Sequence, residues 1–268
     1  MPRWRSFFIL INLKTVVVAG LSIASTFACR QYGIFAEFPL TLIAIAVVFP
    51  IVFSIGGAYN RREAALDDYA SMKAHGRSIY FAFRDWPEST SEATLTQART
   101  LLGNIMSASR TLFVEPISSM EQNEKRVYES FSELSAYIQT LRSMGLASGE
   151  VSRCNQYFSK MMLAFESVKH IYQYRTPLSL RAYSDVFIVL LPVIYGPYFA
   201  SVAEKSSSYL VFVLPVLFSL ILVSLDNIQA HLENPFDQVG EDDIRFNVER
   251  FIKRLEELPP PIASRRSS

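Results

Sequence analysis

The sequence predicts an all-α membrane protein with four transmembrane helices and a helical cytoplasmic region. Three observations carry this reading. Half of the 268 residues are hydrophobic and the mean hydropathy is +0.19, more apolar than most soluble domains of this size. Four apolar stretches reach the length of a spanning helix, about 17 to 25 residues. No stretch of any length alternates as a strand does, and no internal repeat is visible.

The first stretch runs from Phe7 to Ala28. Arg3 and Arg5 precede it as they would precede a signal peptide, and Thr26 to Cys29 imitate a lipoprotein cleavage site. Lys14 interrupts the run, Thr26 and Phe27 suit cleavage poorly, and a signal core is shorter, about 7 to 15 residues. The stretch is therefore read as a retained span. Lys14 lies close enough to the helix start to snorkel toward water.

The second stretch, Phe38 to Ala58, carries no ionisable side chain. Ile45, Phe49 and Phe53 are four residues apart, which stacks them along one helical face. Pro50 beside them removes a backbone donor and predicts a kink. Two readings of the stripe stay open at this point. It packs against neighbours or lipid, or copies of the helix surround a pore whose apolar rings gate by dewetting.

From about Asn60 to Arg181 the apolar residues recur at helical spacing. One set is Leu95, Ala98, Leu102, Ile105 and Met106, a second is Val127, Phe131, Leu134, Ile138 and Leu141, and a third runs from Tyr157 to Tyr172. Pro87, Pro116 and the Gly145 to Gly149 region punctuate them, and Ser89, Thr90 or Ser91 caps the helix that opens near Glu92. The third and fourth spans follow at Val186 to Val202 and Tyr209 to Leu225. Val248, Phe251, Ile252 and Leu255 predict one more amphipathic helix before a disordered tail.

Lysines and arginines cluster before the first span and after the second, while the short loops hold few. The positive-inside rule then places both termini and the long middle segment in the cytoplasm. A net charge of +1 excludes the basic field of a nucleic-acid binder. Cys29 and Cys154 match no disulfide or zinc spacing, and His75, His170 and His231 are scattered, with no hydrolase or phosphate-loop motif, so an enzyme is not expected.

The segment "ENPFDQVGEDDI", Glu233 to Ile244, raises a separate question because it places carboxylates just after the last span. Clustered carboxylates suit a hard cation such as calcium. The simpler reading puts Glu241, Asp242 and Asp243 in the first turn of a helix starting near Ile244, where the helix dipole favours negative charge.

Three segments together resemble the bestrophin family of anion channels. "ENPFDQVGEDDI" is similar to that family's Asn-Pro-Phe and acidic run after the last span. "YRTPLSLRAY", Tyr174 to Tyr183, is similar to the proline-containing stretch before the third span, and "FSIGGAYNRREAALDDY", Phe53 to Tyr69, to the exit of the second. The resemblance implies a homopentamer around one axial pore that passes chloride or other monovalent anions, with its neck at Ile45, Phe49 and Phe53. It also implies a second constriction at the cytoplasmic end, for which Val151 is the candidate, and a cation site, calcium in animal members, using Asn234, Asp242 and Asp243. Arg62 stands where the family usually has tryptophan, Ser179 replaces a proline, and the acidic run is one residue longer, which departs from the calcium-gated pattern. Some bacterial relatives pass cations. The competing classes are a non-conducting scaffold, a coupled carrier using Lys14 or Asn12, and a metal-dependent enzyme on Asp242 and Asp243.

Overall fold

A computed structural model describes residues 12–37, 40–174, 178–233, 235–236 and 243–258, with backbone alone at 40–44, 46–47 and 178–180. Among the described residues every regular element is helical. In chain order these are α1 (Leu13–Gln31), α2 (Leu40–Asp85), α3 (Glu92–Val114), a short 3-10 turn (Ile117–Ser119), α4 (Met120–Ser143), α5 (Ser148–Gln173), α6 (Leu178–Ile194), α7 (Gly196–Lys205), α8 (Leu210–Glu233) and α9 (Val248–Glu256). They form two compact units. One comprises Met1–Arg62 and Arg175–Asn234, the other Glu63–Tyr174 and Pro235–Ser268.

The first unit holds the membrane helices. Three segments are long and apolar enough to cross a bilayer: Leu13–Gln31, Arg181–Lys205 and Leu210–Glu233. The expected third and fourth spans are therefore longer than their apolar cores, because their polar ends stay helical. The expected second span falls at the start of α2, apart from Phe38 and Pro39, which lie outside the described residues.

Asn12 begins α1 by accepting from the Thr15 backbone N–H at 3.1 Å, while the Thr15 hydroxyl accepts from the Asn12 N–H at 3.3 Å. That reciprocal cap satisfies two of the backbone donors left open at the start of a helix. Val18, Ile51, Ile188, Leu191, Tyr195, Phe199, Leu222 and Val223 form the buried core of this unit.

The span Arg181–Lys205 is interrupted between α6 and α7, and the sequence explains how the interruption is tolerated. Pro197 has no N–H to offer the Val193 carbonyl four residues earlier. The Ser25 hydroxyl of α1 donates to that carbonyl instead, at 2.8 Å, and Ser22 donates to the Pro192 carbonyl at 2.7 Å. Gly196 is required here, since a Cβ would stand 2.3 Å from Ser25 Oγ and 3.1 Å from Ser25 backbone.

The second unit is a helical layer with one large core, in which Phe83, Leu102, Ile105, Phe113, Phe131, Ile138 and Phe165 are almost fully buried. The predicted amphipathic helices are α3, α4 and α5. Ser91, of the three cap candidates, accepts from the Thr94 N–H at 3.1 Å. Gly145, at φ +85°, turns the chain after α4. α9 lies on α3 where Gly103 lets Ile252 approach, a Cβ there being 3.3 Å from Ile252 Cδ1.

α2 runs on beyond the apolar stretch to Asp85, because its buried apolar positions keep their spacing past Ala58. One expectation is corrected. The last helix begins at Val248 rather than Ile244, with Asn247 as its cap accepting from the Arg250 N–H at 2.8 Å. Asp243 is therefore not in its first turn, and the acid there is Glu249.

Candidate functional site

α2 divides lengthwise into two faces. Ile51, Ser54, Ala58, Ala65, Tyr69, Met72, Gly76, Ile79 and Phe83 are buried, at steps of three, four or seven. That spacing keeps them within one side of a helix. Opposite them stand Ile45, Phe49 and Phe53, which are 54%, 59% and 65% exposed in the single chain. The Phe49 and Phe53 rings meet edge to face with centroids 4.8 Å apart. The three stripe residues are thus brought together on one face, and among the described residues nothing covers them fully.

At one end of the first unit, charges from three helices converge. Lys14 Nζ of α1 donates to Asp185 Oδ1 of α6 at 3.0 Å and to Asp226 Oδ2 of α8 at 2.7 Å. Arg181 Nη1 reaches Glu233 Oε2 at 2.6 Å, and Glu233 also accepts from Gln229 Nε2 at 3.0 Å. Asn12 Nδ2 donates to Asn227 Oδ1 at 2.9 Å. Lys14, partly exposed at this end of the unit, is thus held between two carboxylates, of which Asp185 is the more exposed. The sequence signal was the occurrence of Asp185 and Asp226 at the ends of two apolar runs, which matters because a charge near a bilayer core needs a partner.

The acidic segment is held at its two ends. Phe236 is fully buried in the second unit, with its ring 5.3 Å from Phe113, 5.9 Å from Tyr172 and 6.0 Å from Phe246. The Ile244 N–H donates to the Pro235 carbonyl at 2.7 Å. Asp243 is half-buried, while Asn234 and Asp242 lie outside the described residues. Among the described residues no group of three or more histidine, cysteine or acidic side chains is placed to hold a metal.

Val151 is fully buried in the core of the second unit, on the inward side of α5. A side chain with no exposed surface has no face to offer a constriction. Cys154, one turn on, is also enclosed, and burial pushes its thiol up to about 12, which makes it inert.

The same unit encloses a charged cluster that sequence reading missed. Lys169 donates to Glu124 at 2.8 Å and Tyr128 at 2.5 Å and pairs with Glu166 at 2.7 Å, with 11% of its side chain exposed. Burial opposes its charge, but these bonds outweigh it and hold the ammonium above its ordinary pKa. The cluster joins α4 to α5 and leaves the lysine no capacity for chemistry.

Long apolar helices with paired charges at their ends, joined to a helical layer, define a membrane-protein architecture. Among solved structures, it is the bestrophin fold. The crystal structure of a bacterial bestrophin homologue from Klebsiella pneumoniae solved by zinc phasing matches at TM-score 0.71 and 18% identity, covering 95% of this chain and 99% of that one. A variant of that homologue matches at TM-score 0.71 and 17% identity over 95% and 100%. A further crystal structure, of a membrane-protein variant, matches at TM-score 0.70 and 18% identity over 94% and 98%. No known family pattern and no curated protein matches the sequence.

Proposed function

We propose that the chain is a bestrophin-family channel in which copies of the whole chain, five by the resemblance, surround a pathway lined by α2. Small monovalent ions pass passively through a neck formed by Ile45, Phe49 and Phe53, and chloride is the ion the resemblance names. The observation that carries this reading is the bare apolar stripe opposite a continuously buried face. An aromatic constriction of this kind restricts flow by dewetting, and its weakly positive ring edges tolerate anions.

In this reading four spans cross the membrane with both termini in the cytoplasm. The Lys14 cluster agrees with that topology, since it joins the start of α1, the start of α6 and the end of α8, which then lie on one side. The protein is a conduit and not an enzyme. Val151 is not carried forward. Asn234, Asp242 and Asp243 stand as a cation site of the acidic segment by resemblance alone, and titrating calcium against the current tests them.

The deciding experiment records purified protein in planar bilayers under a KCl gradient, as wild type and Phe49→Ala. Conductance that the substitution alters supports the neck. A reversal near the chloride potential supports the anion assignment, and one near the potassium potential overturns it. Absence of current from both proteins, each shown to be folded, replaces the channel with a scaffold.

A further inference from the structure

The exposed stripe of α2 does not end at Phe53. Steps of seven residues drift by only about 20° round a helix, so Asn60, Asp67 and Ala74 stay on the line of Phe53, and all three are exposed. Ser71, one turn after Asp67, is exposed as well. The lining therefore changes character along one unbroken helix. It is apolar through the neck and then polar, with a carboxylate about 21 Å beyond Phe53 at 1.5 Å per residue.

Asp67 and its neighbour Asp68 face different ways. Asp68 borders a cleft with Glu166, Ser167, His170 and Ile171 of α5. Burial, and then the charge of Asp67, raise its pKa. Asp67 is exposed and makes no hydrogen bond or ion pair among the described residues. Basic residues of α2 stand away from the line. Arg61 and Arg62 are rotated about 100° and 200° from Asn60. Lys73 is turned over the Tyr69 ring at 4.2 Å. Arg77 lies about 15 Å further along, beyond the screening length of about 10 Å in 0.1 M salt.

We infer that Asp67 is a specificity-determining residue of the pathway, biasing it toward cations. The inference rests on the pore reading above, because only copies arranged around an axis turn one carboxylate per chain into a ring. A neck without charge repels both signs by dehydration, whereas a carboxylate ring concentrates cations and depletes anions beside it. The ring thus opposes whatever anion preference the neck supplies.

The test measures reversal potentials in planar bilayers under a KCl gradient for wild type, Asp67→Asn, Asp67→Lys and Asp68→Asn. The permeability ratio of potassium to chloride is expected to fall at least about threefold in Asp67→Asn and further in Asp67→Lys, most strongly at low salt, with a smaller change in Asp68→Asn. Unchanged ratios in both Asp67 variants, with current intact, overturn the inference and leave the pore standing. An equal or larger effect of Asp68→Asn also overturns it. No current from folded wild type removes the pore reading and this inference with it.

Discussion

The two faces of α2 use the same helical spacing for opposite ends. On one, Met72, Ile79 and Phe83 have at most 1% of their surface exposed and belong to the core of the second unit. On the other, Phe49 and Phe53 are as apolar, yet more than half exposed. Burial energy explains the first face completely. It does not explain the second, and in the proposed reading further copies of the chain surround that face.

That contrast gives substitutions with graded effects. Phe83→Ala on the buried face is expected to destabilise the second unit by about 3–5 kcal/mol, read from denaturant unfolding, because it opens a cavity in a packed core. Lys169→Met has a smaller expected cost, about 1–2 kcal/mol, because the Glu124 and Glu166 carboxylates it leaves behind are still reached by water. The sign with pH is defined. Lys169 has a raised pKa in the folded state, so its contribution is complete below the ordinary lysine pKa and is lost only as pH rises through the folded value. Across neutral pH, the wild-type stability should owe no slope to Lys169. Ser91→Ala, which removes one helix cap, is expected to cost about 1 kcal/mol. Phe49→Ala belongs at the bottom of the stability scale, within about 0.5 kcal/mol in the monomeric chain. A large loss of monomer stability there would break the comparison.

Much of the fold was legible because it rests on periodicity. The apolar steps in α3, α4 and α5 named their buried residues, and Ser91 was among the cap candidates. The stripe Ile45, Phe49 and Phe53 was legible for the same reason. The extent of α2 was not. Asn60, Arg61 and Arg62 look like a membrane exit, and only the buried partners of Ala65, Tyr69 and Met72 show that the helix continues. Lys14 was seen, but Asp185 and Asp226, about 170 and 210 residues away, could not be assigned to it without tertiary contacts. Val151 failed through periodicity too. It shares a face with Cys154, Met161 and Phe165, all buried, and that spacing marks a core position.

The most direct measurement places a cysteine on each face of α2, as Asn60→Cys and as Met72→Cys, in a Cys29→Ser background. Current through planar bilayers is then recorded before and after a charged, water-soluble thiol reagent. The account predicts that the reagent changes the Asn60→Cys current and leaves the Met72→Cys current as it was. A conducting protein in which Asn60→Cys is unaffected, or in which both positions respond alike, would contradict the claim that this face of α2 lines the ion pathway.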